Sequence, residues 1–512
     1  MKALHKFIVV SLCVSVMAGY ALDSLLGDLG LDSDVAKQET SFSCSPAPGG
    51  KAPAQHSSAE GLPPLPLPVV PLRRTEKKNP PRPPVLVAKI ATERDSDWAT
   101  NPADAKNLLK WMAKTLNVNF SDMVIPENQI PSDPKTVPVL YRTGHDAFKF
   151  PPQVKAKLAE YLLHGGTLIM ESCCGRRAFA ESAIREAREL IPERPPYRLG
   201  PDHPVFHSYF DIKDIKYRPQ ALKAGAKTGD PAVIGIDIGC RTAVFIFRWD
   251  VSCGWDEQPD TEKHQCMGYD IQTSQMLGAN LMAYITSERS AALPLSQAME
   301  FVDASKSKAG KFMIAQAKYN GMWKCRDAGL SMLLNYFHEQ TGIPITFNRE
   351  EVPLSSPKLF DLPMVYMTGH LAFKLTDAEK ANIAKYIRQG GIVFAESCCG
   401  RDEFTKAFRH EIASALGGAK LERIQGNHVL FQIPNRIHDI QPTPALAEKI
   451  KSTGRVAPEL YGISIDGHLG VIFSPVGLAC GWELATCPYC NGMHSKDALA
   501  LGINILNHAI MQ

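Results

Sequence analysis

From residue 85 onward, short apolar runs alternate with amphipathic stretches. Val85 to Ile90, Val137 to Arg142 and Thr167 to Ser172 are runs of strand length, while Pro102 to Leu116 and Pro152 to His164 carry the 3.6-residue spacing of helices. Proline near the start of the first of these helices and Gly165-Gly166 after the second supply a start and a left-handed stop. The pattern returns with Lys311 to Ala315, Ala378 to Gln389, Gly390-Gly391 and Ile392 to Ser397. Apolar strands alternating with helices predict an α/β fold, doubly wound, with a parallel sheet covered on both faces.

The recurrence extends to whole motifs. Val139-Leu-Tyr-Arg-Thr-Gly-His145 returns as Met364-Val-Tyr-Met-Thr-Gly-His370, and Glu171-Ser-Cys-Cys-Gly-Arg176 as Glu396-Ser-Cys-Cys-Gly-Arg401. Asp202-His-Pro-Val-Phe206 answers to Asn427-His-Val-Leu-Phe431, and Cys253-Gly-Trp255 to Cys480-Gly-Trp482. A period of 225 residues is far longer than the roughly 20 to 50 residues of a solenoid repeat, so two homologous domains stand in tandem, over 85–288 and 309–512.

Residues 1–21 read as a signal peptide. Lys2 and Lys6 precede the apolar run Phe7 to Ala18, which is short for a membrane span, and Ala18, Gly19 and Ala21 suit cleavage. The protein is expected to be exported, periplasmic or extracellular, with no membrane span once the signal is cleaved; an uncleaved N-terminal anchor is the alternative. Residues 22–84 lack hydrophobic periodicity and are rich in proline, as in Leu62-Pro-Pro-Leu-Pro-Leu-Pro68, and read as an extended tether. A formal net charge of +3 on 512 residues, without a basic run interleaved with aromatics, argues against a nucleic-acid partner.

In open parallel sheets ligands gather at the carboxyl ends of the strands. Thr143-Gly-His145, Ser172-Cys-Cys-Gly175 and Cys253-Gly-Trp255 each follow a strand and belong on that rim, as do their copies. Of 13 cysteines, four per domain are shared: Cys173, Cys174, Cys253 and Cys266, matched by Cys398, Cys399, Cys480 and Cys490. Cys240, Cys325 and Cys487 have no counterpart. Three chemistries suit the shared set. Export puts disulfides first, a tetrahedral thiolate site for zinc second, and nucleophilic catalysis third. Adjacent residues of an extended strand point to opposite faces, so one member of each vicinal pair is expected to reach its partners.

Cys173 and Cys398 are the nucleophile candidates, because a helix start after a strand stabilises thiolate; His145 and His370 would be their bases. The architecture resembles class I glutamine amidotransferases, whose nucleophile sits at such an elbow. The elbow here departs from theirs, with Glu171 where a glycine belongs. Glu171 and Glu396 are expected to meet Arg176 and Arg401, and these four residues are candidates for binding at the rim. Ile234-Gly-Ile-Asp-Ile-Gly239 looks like a phosphate-binding opening, but the second copy has Ser464 where Asp237 stands, so a strand and turn suffice.

Together the Thr-Gly-His strand ends, the Gly-Gly helix stops, the Glu-Ser-Cys-Cys-Gly-Arg turns and the Asp-His-Pro-x-Phe segment resemble domain-of-unknown-function family 4159, present twice. The resemblance implies a flavodoxin-like, amidotransferase-like fold and an exported or membrane-attached protein, and it implies no activity. The reading that follows is a binding or scaffolding protein of the cell envelope with a cysteine-rich site in each domain and an unidentified envelope partner. A cysteine-dependent hydrolase or transferase is the alternative.

Overall fold

The computed structural model describes residues 83–261, 264–301, 314–326, 328–345, 350–485 and 487–512, with side chains of 289–301 excepted. The signal segment and all but the last residues of the tether lie outside the described residues.

Each domain is built on a seven-stranded sheet. In the first, β1 (Val85–Ala91), β2 (Ser121–Pro126), β3 (Val139–Gly144), β4 (Thr167–Ser172), β5 (Tyr197–Arg198), β6 (Val233–Ile238) and β7 (Arg241–Phe247) lie in the order β2-β1-β3-β4-β7-β6-β5. In the second, β8 (Ile314–Lys318), β9 (Glu350–Pro353), β10 (Met364–Gly369), β11 (Ile392–Ser397), β12 (Glu422–Arg423), β13 (Tyr461–Ile465) and β14 (His468–Ser474) repeat the order as β9-β8-β10-β11-β14-β13-β12. Five strands of each sheet are parallel. The last two are added by antiparallel pairs, β6 to β7 as a hairpin and β5 to β6, with β13 and β12 alike, an extension that the alternation of strands and helices does not announce.

The central strands β3, β4, β7, β10 and β11 are buried at every position, as a sheet covered on both faces requires. Helices Asp104–Leu116, Pro152–Leu163, Arg177–Leu190 and Ile271–Phe301 cover the first sheet; Gly329–Thr341, Asp377–Arg388, Asp402–Ala415 and Ser495–Met511 cover the second. The second vicinal-cysteine helix and the first begin at the same point of the repeat, immediately after Arg176 and Arg401.

The two domains touch through the β6–β7 hairpin and its surroundings. Tyr284 stacks on Tyr489 with centroids 5.4 Å apart, and Arg194 Nη1 donates to the Lys324 carbonyl at 2.7 Å. Cys240, in the hairpin turn, is disulfide-bonded to Cys487.

Candidate functional site

Strand register assembles the rim. Gly144 pairs with Ser172, and Glu171 with Phe247, so the chain leaving β3, β4 and β7 does so at neighbouring points; Gly369 and Ser397 repeat the arrangement. The Glu171 carboxylate then ties these exits together. It accepts from Tyr141 at 3.3 Å, from Thr143, from the Val251 amide at 3.3 Å and from Ser252 at 3.2 Å. Glu396 does the same through Tyr366 (2.6 Å), Thr368 (3.2 Å) and the amides of Leu478 and Ala479. Both glutamates are fully buried, and the expected pairing with Arg176 and Arg401 is corrected: hydroxyls and amides satisfy them.

After the strand the chain makes a tight turn in which the second cysteine is left-handed. Cys174 has φ 53° and Cys399 φ 55°, a conformation that costs a residue with a Cβ roughly 1–3 kcal/mol. Gly175 and Gly400 follow at φ 68° and 61°. A Cβ on Gly175 would lie 2.2 Å from the Met267 carbonyl oxygen, and one on Gly400 would lie 2.6 Å from that of Asn491. The glycines thus admit the segments that deliver Cys266 and Cys490. Because the pair sits in a turn rather than an extended strand, both members reach the cluster, which corrects the expectation that only one would.

In the first domain the donor atoms of Cys173, Cys174, Asp250 and Cys253 lie within 4.8 Å of one another. Cys266 joins them in the same buried cluster. His264, which the sequence reading passed over, brings Nε2 to 3.6 Å from the Cys253 sulfur and 3.8 Å from that of Cys174. Asp250 accepts from the amides of Cys174 (2.5 Å) and Cys253 (2.9 Å), and Asn101 donates to Ser252 (2.9 Å) and towards the Cys253 and Cys173 sulfurs at 3.3 and 3.5 Å.

The second domain holds more sulfur. The Cys399 and Cys480 sulfurs are 3.6 Å apart and those of Cys480 and Cys490 3.2 Å, while Arg326 donates to Cys480 at 2.6 Å. Cys325 and Cys398 form a further group with His370. The disulfide observed among the described residues joins two of the unshared cysteines, Cys240 and Cys487, and the eight shared cysteines lie buried outside it. The disulfide role expected for the shared set is therefore corrected.

A histidine backs each turn. His145 Nδ1 is 3.1 Å from Asp97, and His370 Nδ1 is 3.0 Å from Asp237. In each ring Nε2 is buried without a hydrogen-bond partner among the described residues, with thiols close by. Asp97 precedes Trp98; Met322 precedes the matching Trp323, so the second domain lacks its own aspartate and Asp237 arrives from the first domain's hairpin. Asp237 also accepts from Tyr197 at 2.9 Å and Thr242 at 2.6 Å. The strand and turn expected at 234–239 are present, and the Asp237 within them takes a role against His370 that a strand and turn do not announce.

As nucleophiles, Cys173 and Cys398 are poorly placed. Both are fully buried, and neighbouring thiols push Cys398 well above the ordinary thiol range while they hold Cys399 well below it. Arg401 differs from Glu171 and Glu396 in reaching open space: with Tyr197, His203, His370, Lys406 and Asn491 it lines a cavity of about 480 Å³ between the domains. Arg176 is half-buried and its carbonyl accepts from Ser172 at 2.5 Å.

The family described as Domain of unknown function (DUF4159) matches residues 86–286 and 313–510. No curated protein matches the chain. Among solved structures, a proposed phosphosugar isomerase from Silicibacter pomeroyi is similar at 10% identity, over 61% of this chain and 75% of that one, with a TM-score of 0.15.

Proposed function

The chain belongs to the family of that domain of unknown function, twice over, and on that footing we propose that it is an exported binding or scaffolding protein of the cell envelope whose domains each hold a zinc ion on the rim cysteines. One observation carries the reading: Cys174, Cys253, Cys266 and His264 converge as four donors. Tetrahedral zinc with sulfur at about 2.3 Å and nitrogen at about 2.0–2.1 Å sets its ligands about 3.6–3.8 Å apart. The distances of 3.6 and 3.8 Å to His264, and 3.6 Å between Cys399 and Cys480, agree with that spacing, while the 3.2 Å between Cys480 and Cys490 is shorter than it. In the second domain Cys399, Cys480 and Cys490 are the ligands. Asp250, Asn101 and Arg326 would then stabilise the thiolates and fix their orientation, as outer groups around structural metals do.

Export supports a metal as well. Buried cysteine clusters in an oxidising compartment need protection, and zinc ligation supplies it. The apolar N-terminal segment supports export, and among the described residues no helix is long and apolar enough to cross a membrane. The partner is an envelope component that the paired domains hold. The alternative, a cysteine-dependent hydrolase, needs a thiolate that substrate can reach.

Zinc quantification combined with alkylation tests this. The expected result is stoichiometric zinc lost to chelator, with Cys174, Cys253 and Cys266 alkylated only afterwards. Rapid alkylation of Cys173 or Cys398 in the untreated protein would favour the hydrolase and contradict the zinc sites.

A further inference from the structure

We propose that the second domain carries an additional, open metal site made by Cys325, Cys398 and His370, which serves the cavity between the domains. Donor atoms of these three residues lie within 4.8 Å of one another, and all three are buried at 0–1% exposure. The group borders the Cys399, Cys480 and Cys490 set, since Cys398 touches Cys399 and Cys480 and His370 touches Cys399. The inference goes beyond the zinc reading above and shares with it only the premise of reduced thiols.

Three observations point to a ligand. His370 Nε2 is buried with no hydrogen-bond partner among the described residues, and thiols, Cys399 included, surround the ring, a costly state for a ring nitrogen unless something occupies it. Its Nδ1 faces the Asp237 carboxylate at 3.0 Å, the carboxylate–histidine arrangement that fixes tautomer and orientation in metal ligands. The first domain, finally, lacks the site by one residue. Two positions after Trp98 stands Thr100, and two after Trp323 stands Cys325. Thr100 hydrogen-bonds to His145 at 3.4 Å and offers no thiolate.

Two cysteines and a histidine leave a tetrahedral metal one position for water or ligand, which is how catalytic zinc sites differ from closed structural ones. His370 is also in the wall of the 480 Å³ cavity, which Arg401 and Lys406 line together with Asp202, Asp402 and Glu403. Arg401, in the same wall, is the cation that a small carboxylate bound at the metal would meet. Asp237 comes from the first domain, so the site is complete only with both domains docked.

The test is cobalt(II) titration of the full chain and of Cys325→Thr under reducing conditions, followed by visible absorption with and without acetate. Thr100 shows that threonine fits this place in the fold, and circular dichroism checks that the variant folds. Three cobalt ions are expected per wild-type chain and two in the variant, with an acetate-dependent spectral change in the wild type alone. Two ions in both proteins with identical acetate response would overturn this inference and leave the zinc reading standing. A wild-type chain that takes up no cobalt overturns both.

Discussion

Lys89 and Asp104 form an ion pair 2.9 Å long inside the first domain, with both side chains at most 5% exposed. The second domain has removed both charges at once: Gln316 stands opposite Tyr366 where Lys89 stands opposite Tyr141, and Gly329 opens the helix that Asp104 opens. Deleting one partner of a buried pair strands the other charge, at a cost of roughly 3–5 kcal/mol. Lys89→Gln alone should destabilise by that amount in denaturant unfolding, and adding Asp104→Ala should recover most of it. Additive losses in the double variant would show that the two do not act as a pair.

Cys240 and Cys487 are 247 residues apart in sequence, so their bond closes a long loop across the domains. Loop closure of that length is worth about 5.5 kcal/mol in the chain-entropy account. Cys240→Ser should lower the melting temperature of the oxidised protein and leave that of the reduced protein nearly unchanged. An equal loss in both redox states would assign the effect to packing at Cys240.

Gly175 and Gly225 both have positive φ, 68° and 102°, but only Gly175 has a neighbour within reach of a Cβ. Gly225→Ala should therefore cost only the left-handed conformation, roughly 1–2 kcal/mol. Gly175→Ala should cost more and release Cys266 from the cluster, seen as faster alkylation of that thiol. Equal costs at the two positions would refute the close-approach argument.

The tandem α/β architecture was legible because strand and helix periodicities repeat with their punctuation, Gly165-Gly166 and Gly390-Gly391 included. The rim was legible too, since Thr143-Gly-His145 and Ser172-Cys-Cys-Gly175 follow strands that pair in register. What stayed hidden depends on tertiary placement. Asp237 reads as a strand residue until the hairpin is docked against His370, and the left-handed Cys174 turns a strand-end rule into a wrong expectation about which sulfurs meet. The mismatch of Asp97 with Met322 beside a matched tryptophan was a usable signal, as was His264 two residues before Cys266.

His203 supplies a pH prediction. Burial, reinforced by the Arg401 cation, lowers its pKa to about 3, against about 6.5 in the unfolded chain. Its Nδ1 accepts from the Val205 amide at 3.2 Å and its Nε2 meets Thr242 at 3.1 Å, so the folded protein holds the ring neutral. The unfolded chain takes the proton first as pH falls, so this contribution is intact above about 6.5 and is lost progressively down to about 3. Unfolding followed from pH 7 to pH 4 should show a shallower decline in stability for His203→Gln than for the wild type. Parallel curves would mean that His203 is not the group titrating.

X-ray absorption at the zinc edge of the purified full chain addresses the zinc sites most directly. The account predicts a shell dominated by sulfur at about 2.3 Å with a minor nitrogen contribution at about 2.0–2.1 Å. A protein without zinc, or zinc surrounded by oxygen alone, would contradict it.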